Sequence, residues 1–225
     1  EGHAEANALA QAGDRSKGST VYVTLEPCSF HGRTPSCAEA LIKSGVSRVV
    51  AAREDPDSRN AGKGFAKLRD AGIVVDLLPS ESADQLVRGH LKRYCEQKPF
   101  IRLKLAMTLD GKTALRNGNS KWITSDEARA DVQKLRAESS AIVTGVQTVI
   151  DDDPRLQVRE ILPEIKHRAE ALSVERPVYI LDSNLRAPES AQLLTRDSVL
   201  QVCVEGVASK VNQARYLEMP AAQGR

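Results

Sequence analysis

The first 78 residues alternate between short β-branched runs and segments that close on glycine, and this alternation limits the fold more than any other feature. "HAEANALAQAG" has the alanine-rich composition of a helix stopped at Gly13, and "STVYVTL" is a strand bounded by turn residues. "CAEALIKSG" and "GFAKLRDAG" repeat the helical pattern, while "VSRVVAA" and "IVVDLLP" repeat the strand pattern. Strands alternating with helices of this length predict βαβ units, and hence an α/β fold with a largely parallel sheet covered on both faces.

Beyond Ser80 the composition turns polar and helix-prone, which predicts a connecting helix up to Lys98. A new apolar strand is expected from Pro99 in "PFIRLKLAMTLDGKTAL". "TSDEARADVQKLRAES" reads as an amphipathic helix with Ala128, Val132 and Leu135 on its apolar face. Thr124 and Glu127 have capping-box spacing, with Ser125 as the other candidate N-cap. "AIVTGV", "PVYILDS" and "SVLQVCVEG" read as buried strands, and the charged run between Arg159 and Arg176 as a surface loop. The organisation expected is two α/β units, 1–80 and 99–225, joined by 81–98. Composition narrows the setting. A net charge of +2 over 225 residues is too small for wholesale neutralisation of a nucleic-acid backbone. No apolar run approaches the roughly 18 residues of a membrane span. Four cysteines do not make a disulfide framework, which favours a reducing cytoplasm. Small molecules, rather than nucleic acid or membrane, are the expected partners.

The stretch "TLEPCSFHGRTPSC" places Cys28 and Cys37 nine apart around a turn-rich loop, and on these residues alone metal, disulfide, nucleophile and packing are all open. Topology narrows the choice. His3 and Glu5 lie at a helix start, Pro27-Cys28 at a strand end, and Cys37 at the next helix start. In a parallel α/β sheet these ends converge on one edge, where ligand crevices form. One imidazole and two thiolates leave a fourth position open on Zn²⁺, the mark of a catalytic site. A helix N-terminus also favours thiolate at Cys37. Zinc nucleobase deaminases carry H-x-E…P-C-x-x-C, with the glutamate as general acid/base rather than ligand. The chain fits H-x-E and P-C but has eight residues between its cysteines. A reducing compartment argues against a Cys28–Cys37 disulfide. His31 reads as a loop or substrate-contact residue, and His90 and His167 as surface histidines.

The run "HAEANAL…VTLEPCSFHGRTPSCAEALIKSGVSRVV" resembles the deaminase domain of the bifunctional riboflavin-biosynthesis deaminase/reductase family, which carries just such a long loop between its cysteines. The resemblance implies a cytidine-deaminase-like α/β/α sandwich with zinc on His3, Cys28 and Cys37. Glu5 would move protons, and the substrate would be a diaminopyrimidinone bearing a phosphorylated ribosylamino group, deaminated to the uracil. Arg33 matches a basic position used near the substrate phosphate. Two places depart from the family's pattern: Phe30 stands where histidine is usual, and "DPDSRNAGKG" at 55–64 only partly matches an Asp-Pro-Asn-Pro loop.

Residues 99–225 have no glycine-rich dinucleotide fingerprint, so resemblance carries the second unit. "RLKLAMTLDGKTA", "SKWITSDEAR" and "AIVTGVQTVIDDDPRLQVR" are similar to the reductase domain of the same family. That implies a dihydrofolate-reductase-like α/β domain that uses NADPH to reduce the ribosyl group to ribityl. The family's NADPH contacts fall on Ala106, Trp122, Thr148, Asp152 and Ser183. Its substrate contacts fall on Lys104, Ser120, Arg136, Leu156 and Arg159. Read without the resemblance, Trp122 is also a candidate core filler, Arg136 a solvated helix charge, and "DDDP" a turn. The resemblance further implies homo-oligomeric assembly. With two residues ahead of His3, and an end at "MPAAQGR", both domains are expected to be incomplete at the chain ends and weakly active as they stand. The alternatives are a single-activity zinc deaminase acting on another base, with an unrelated second domain, and a non-catalytic zinc module.

Overall fold

The computed structural model describes residues 2–32, 34–159, 168–207 and 215–221. The chain divides into two compact units, Glu1–Leu103 and Lys104–Arg225. In the first, helix α1 (Ala4–Ala12) and a 3₁₀ turn (Gly13–Ser16) lead into β1 (Thr20–Val23). Helix α2 (Cys37–Lys43), β2 (Arg48–Ala51), α3 (Lys63–Asp70) and β3 (Val74–Leu77) follow in strict alternation. The three strands are parallel in the order β1-β2-β3, with Val21, Val49 and Val75 in register. Ala38 and Leu41 on α2 and Phe65 and Leu68 on α3 are spaced three apart, so each helix turns one apolar stripe inward. Ala38, Leu41 and Leu68 meet Val46, Val49 and Ile73 in a single core cluster. At the end of α3, Gly72 (φ 80°) takes a left-handed turn that ordinary residues resist, which drops Ile73 into that core before β3 begins.

The polar stretch after β3 forms two helices, α4 (Glu81–Leu86) and α5 (Arg88–Glu96), separated at Val87. Ser80 caps α4 by accepting from the Ala83 N–H. A two-pronged Arg53–Asp84 pair, both contacts at 2.7 Å, ties α4 to the loop after β2.

In the second unit, α6 (Asp126–Ala137) precedes β4 (Ile142–Gly145) and α7 (Val146–Asp152). They are followed by α8 (Arg168–Ser173), β5 (Val178–Leu181), a 3₁₀ turn (Gln192–Thr195), β6 (Val199–Val204) and β7 (Tyr216–Met219). The strands are parallel in the order β4-β5-β6-β7. Val146, Val149, Val178, Ile180, Ala191, Leu193 and Val199 form its core. The α/β reading therefore holds for both units.

Several local expectations differ from the structure. No strand forms at 99–107: ladder hydrogen bonding needs a neighbour, and among the described residues none pairs with this run, which leaves Ile101, Leu103 and Leu105 exposed. Ser125, not Thr124, caps α6, accepting from the Ala128 N–H at 3.3 Å. The inward face of α6 centres on Gln133 rather than on Ala128. The reason is polar: the Gln133 Oε1 accepts from the Arg159 N–H. Within the charged run expected as a loop, 168–173 are helical, and Arg176 is buried. Its guanidinium donates to the carbonyls of Ala137, Ser139, Ala171 and Val174, satisfying chain ends that apolar side chains cannot. Strand β7, "YLEM", went unread because it is short and exposed at every position. Among the described residues, no helix is long and apolar enough to cross a membrane.

Leu68 is fully buried in the first core. Leu68→Ala is expected to lower the stability of that unit by about 2–5 kcal/mol, through lost transfer energy plus a residual cavity. Urea unfolding of variant and parent checks this.

Candidate functional site

The loop after β1 and the N-termini of α1 and α2 meet at one point. His3 is the N-cap residue of α1, Cys28 lies in the loop, and Cys37 is the first residue of α2. Their donor atoms all lie within 4.8 Å of one another. His3 Nδ1 stands 3.2 Å from Cys37 Sγ and 3.6 Å from Cys28 Sγ. Its other ring nitrogen, Nε2, is 3.1 Å from the Thr34 hydroxyl, which leaves Nδ1 turned towards the sulfurs. His3 is exposed, Cys28 half-buried and Cys37 buried, so the cluster is open on one side. The sulfur- and nitrogen-rich donor set, its size and the engaged outer nitrogen all fit a zinc ion.

Local sequence explains the convergence. Ser36 caps α2, accepting from the Glu39 N–H and donating to the Cys28 carbonyl at 2.9 Å. The Ala38 N–H donates to the same carbonyl, and the Cys37 N–H to Cys28 Sγ at 3.2 Å. Burial pushes the Cys37 thiol well up, and the Glu5 carboxylate and Cys28 push it further. Desolvation thus opposes the pull of the helix N-terminus towards thiolate, and a bound cation would favour the thiolate. Glu5, on the first turn of α1, is half-buried beside Cys37, within reach of a reacting group at the cluster.

Glu26 and Asn60, which the sequence reading missed, fasten the chain around Cys28. Glu26 is 3% exposed, and its carboxylate accepts from the N–H groups of Asp55, Gly62 and Phe65. Asn60, 1% exposed, bonds the chain on both sides of Cys28. Gly64 packs so closely that an added Cβ would sit 2.0 Å from the Pro27 carbonyl oxygen. The only signal for these roles was glutamate beside Pro-Cys; their partners lie about 30 residues or more away in sequence. Arg59 reaches two ways: its guanidinium pairs with Asp57, whose carboxyl it holds well below the usual range, and lies 5.6 Å from the centre of the Phe30 ring. His31 is exposed, outside the donor cluster, and contacts Gly32. His90, expected at the surface, is half-buried and bonds Asp55 at 2.8 Å, because α5 folds back over the 55–64 loop. Arg33 and His167 lie outside the described residues.

In the second unit, Thr148 and Asp152 lie one turn apart on α7, which starts directly from the end of β4. Ser183 follows the end of β5, where Leu181 pairs with Gly145. Thr148, in the first turn of α7, and Ser183 therefore lie by the carboxyl edge of the sheet, where ligand crevices form, with Asp152 one turn further along α7. Asp182, 1% exposed, shapes the turn beneath Ser183 by accepting from the Ala187 N–H at 2.8 Å. Arg136 is half-buried and donates to the Gln157 carbonyl. Burial and the neighbouring charge of Arg159 both push its pKa down, so it is not a freely solvated helix charge. Arg136 and Arg159 are thus brought together, and neither forms an ion pair among the described residues. Leu156 (φ 48°) packs against the second core. Lys104, Ala106, Ser120 and Trp122 lie in the irregular run before α6. Trp122 is 72% exposed, with the Arg129 guanidinium 4.5 Å from its ring centre, so it is no core filler.

A first unit built this way is of the zinc-binding deaminase class. Residues 1–53 match the cytidine and deoxycytidylate deaminase zinc-binding region, and residues 99–217 match the RibD C-terminal domain. The chain belongs to the RibD family, that of the bifunctional riboflavin deaminase/reductases. It is 50% identical over 209 residues to the riboflavin biosynthesis protein RibD of Haemophilus influenzae, covering 90% of this chain and 56% of the relative. It is 51% identical over 193 residues to RibD of Escherichia coli, covering 83% and 52%. The chain thus spans about half the length of the curated relatives it matches. Among solved structures, RibD of Acinetobacter baumannii (form 1) aligns with a TM-score of 0.83 at 43% identity, covering 97% of this chain and 61% of that one. A diaminohydroxyphosphoribosylaminopyrimidine deaminase/5-amino-6-(5-phosphoribosylamino)uracil reductase of Thermotoga maritima aligns at 0.77 and 31% identity, covering 99% and 61%.

Cys37→Ala is expected to abolish stoichiometric zinc while leaving α2 intact, since alanine suits a helix start. Elemental analysis together with circular dichroism tests this, and full zinc content in the variant would sink the ligand set.

Proposed function

We propose that this chain carries both activities of riboflavin-pathway deaminase/reductases. The first, centred on residues 1–80, is hydrolytic deamination of 2,5-diamino-6-(5-phosphoribosylamino)pyrimidin-4-one. The second, in 99–225, is NADPH-dependent reduction of the ribosyl group of the resulting aminouracil phosphate. The observation that carries the reading is the His3–Cys28–Cys37 cluster with Glu5 beside it. A purely structural zinc module needs no carboxylate there. A lone deaminase with an unrelated partner domain is disfavoured by the RibD C-terminal match over 99–217.

His3, Cys28 and Cys37 would hold zinc, which supplies Lewis acidity at neutral pH. Glu5 would take one proton from the attacking water to the ring nitrogen, then carry the remaining hydroxyl proton of the tetrahedral adduct to the departing amine as the carbonyl forms. Arg33 would meet the substrate phosphate. In the second unit Ala106, Trp122, Thr148, Asp152 and Ser183 would hold NADPH, which supplies the hydride. Arg136 and Arg159 would grip the substrate phosphate, two planar guanidiniums each able to offer paired donors. Lys104, Ser120 and Leu156 would complete that substrate site. Four free cysteines support a reducing, cytoplasmic setting, and assembly into homo-oligomers goes with the family.

Glu5→Gln is expected to keep one zinc per chain while slowing deamination about 10²–10⁴-fold, because an amide cannot shuttle the proton. Ammonia release from the diaminopyrimidinone phosphate reads the rate, and a loss below about tenfold would rule Glu5 out. Arg136→Ala and Arg159→Ala are expected to raise KM for the aminouracil phosphate and leave deamination unchanged. Equal loss of both activities would assign the arginines to folding instead.

A further inference from the structure

We infer that Asn60 is a positioning residue for Cys28, setting the direction of that thiol through the backbone on either side of it; this rests on the reading of the cluster as a zinc centre. The geometry is specific. Asn60 Oδ1 accepts from the Ser29 N–H at 2.9 Å, and Asn60 Nδ2 donates to the Pro27 carbonyl at 3.4 Å. One amide therefore brackets Cys28, while the carbonyl of Cys28 itself is held from α2 by Ser36 and Ala38. With neighbours and carbonyl fixed, little backbone freedom is left to swing Sγ away from His3 and Cys37.

The bracket is itself anchored. Asn60 is 1% exposed, so its bonds form where water cannot compete. Its N–H donates to the Asp57 carbonyl at 2.8 Å, and its carbonyl accepts from Lys63 at 2.7 Å. Asn60 Nδ2 also donates to Asp55 Oδ2, and Asp55 Oδ1 in turn meets His90 Nε2 at 2.8 Å. A continuous hydrogen-bonded line thus runs from α5 to the thiol's own backbone. It uses both the donor and the acceptor of a primary amide, a combination that a hydroxyl or a carboxylate cannot reproduce in this arrangement.

Groups that orient metal ligands typically change metal affinity about 10–100-fold when removed. The test is zinc affinity, measured by competition with a chromophoric chelator, for the parent, Asn60→Ala and the core variant Val49→Ala. Unfolding midpoints are recorded for each metal-free protein. Asn60→Ala is expected to bind zinc at least tenfold more weakly and to alter the thiolate-to-metal absorption of the cobalt-substituted protein. Val49→Ala, destabilised by its cavity, is expected to bind zinc as the parent does. Parental affinity and spectrum in Asn60→Ala, or an equal loss in Val49→Ala, would overturn the inference. If Asn60→Ala does not fold, Asn60→Asp is subjected to the same comparison, because it keeps the acceptor for Ser29 and loses the donor to Pro27. Deamination by the parent is assayed in parallel: its absence with weakened zinc in the Asn60 variant defeats the proposed activity alone, and its presence with unchanged zinc defeats the positioning role alone.

Discussion

The first unit depends on a buried carboxylate. Glu26 sits almost out of reach of solvent and accepts three backbone N–H groups, those of Asp55, Gly62 and Phe65. A carboxylate in that position is costly unless hydrogen-bonded, and each of these bonds is charge-assisted and therefore stronger than a neutral one. Its partners belong to the loop after β2 and the first turn of α3, while Glu26 itself leads directly into Pro27-Cys28. One side chain thus fastens the loop carrying a thiol to the helix start beside it. Asn60 completes the fastening from the other side of Cys28. Because Glu26 also accepts from the N–H groups of the N-cap Gly62 and of Phe65 in the first turn of α3, it interacts favourably with the positive end of that helix.

What could be read directly was whatever local pattern encodes. The helix–strand alternation of residues 3–78, the glycine stops and the H-x-E and Pro-Cys signals are short-range features, and the βαβ reading followed from them. The joining of His3, Cys28 and Cys37 was also legible, because parallel topology gathers strand and helix ends on one edge. Glu26 and Asn60 were not legible, because each acts on partners about 30 residues or more away and neither lies in a periodic pattern. The 99–107 run misled for the opposite reason: its alternation is strand-like, but a strand is a paired object and no ladder forms there. Gln133 misled in a third way, as a polar residue at the inward centre of α6, where an apolar stripe was the natural guess.

The two units handle charge differently. In the first, several acids are matched with bases: Asp57 with Arg59, Asp55 with His90, Asp84 with Arg53. In the second, Arg136 and Arg159 stand together, and Arg136 is pushed down in pKa by its burial first and by that company second. The paired arginines hold loops in place, whereas Arg136 and Arg159 form no ion pair among the described residues. Arg176 shows the third use of a guanidinium, fully engaged with backbone carbonyls of the segments ending α6 and α8. A lysine there could not span four carbonyls from one planar group.

The close approach at Gly64 has a consequence for how such a chain can diverge. A single methyl group at that position would collide with the Pro27 carbonyl, one residue from a thiol. Residues 26–29 and 55–65 therefore form one heritable block, although nearly 30 positions separate them. A loop borrowed from a relative to change substrate preference would have to arrive with its matching β2–α3 segment. Transplanted alone, it would meet a helix start shaped for another neighbour. Recombination breakpoints that leave the fold working should accordingly fall outside the span from β1 to α3, and exchange within it should proceed only by compensated pairs.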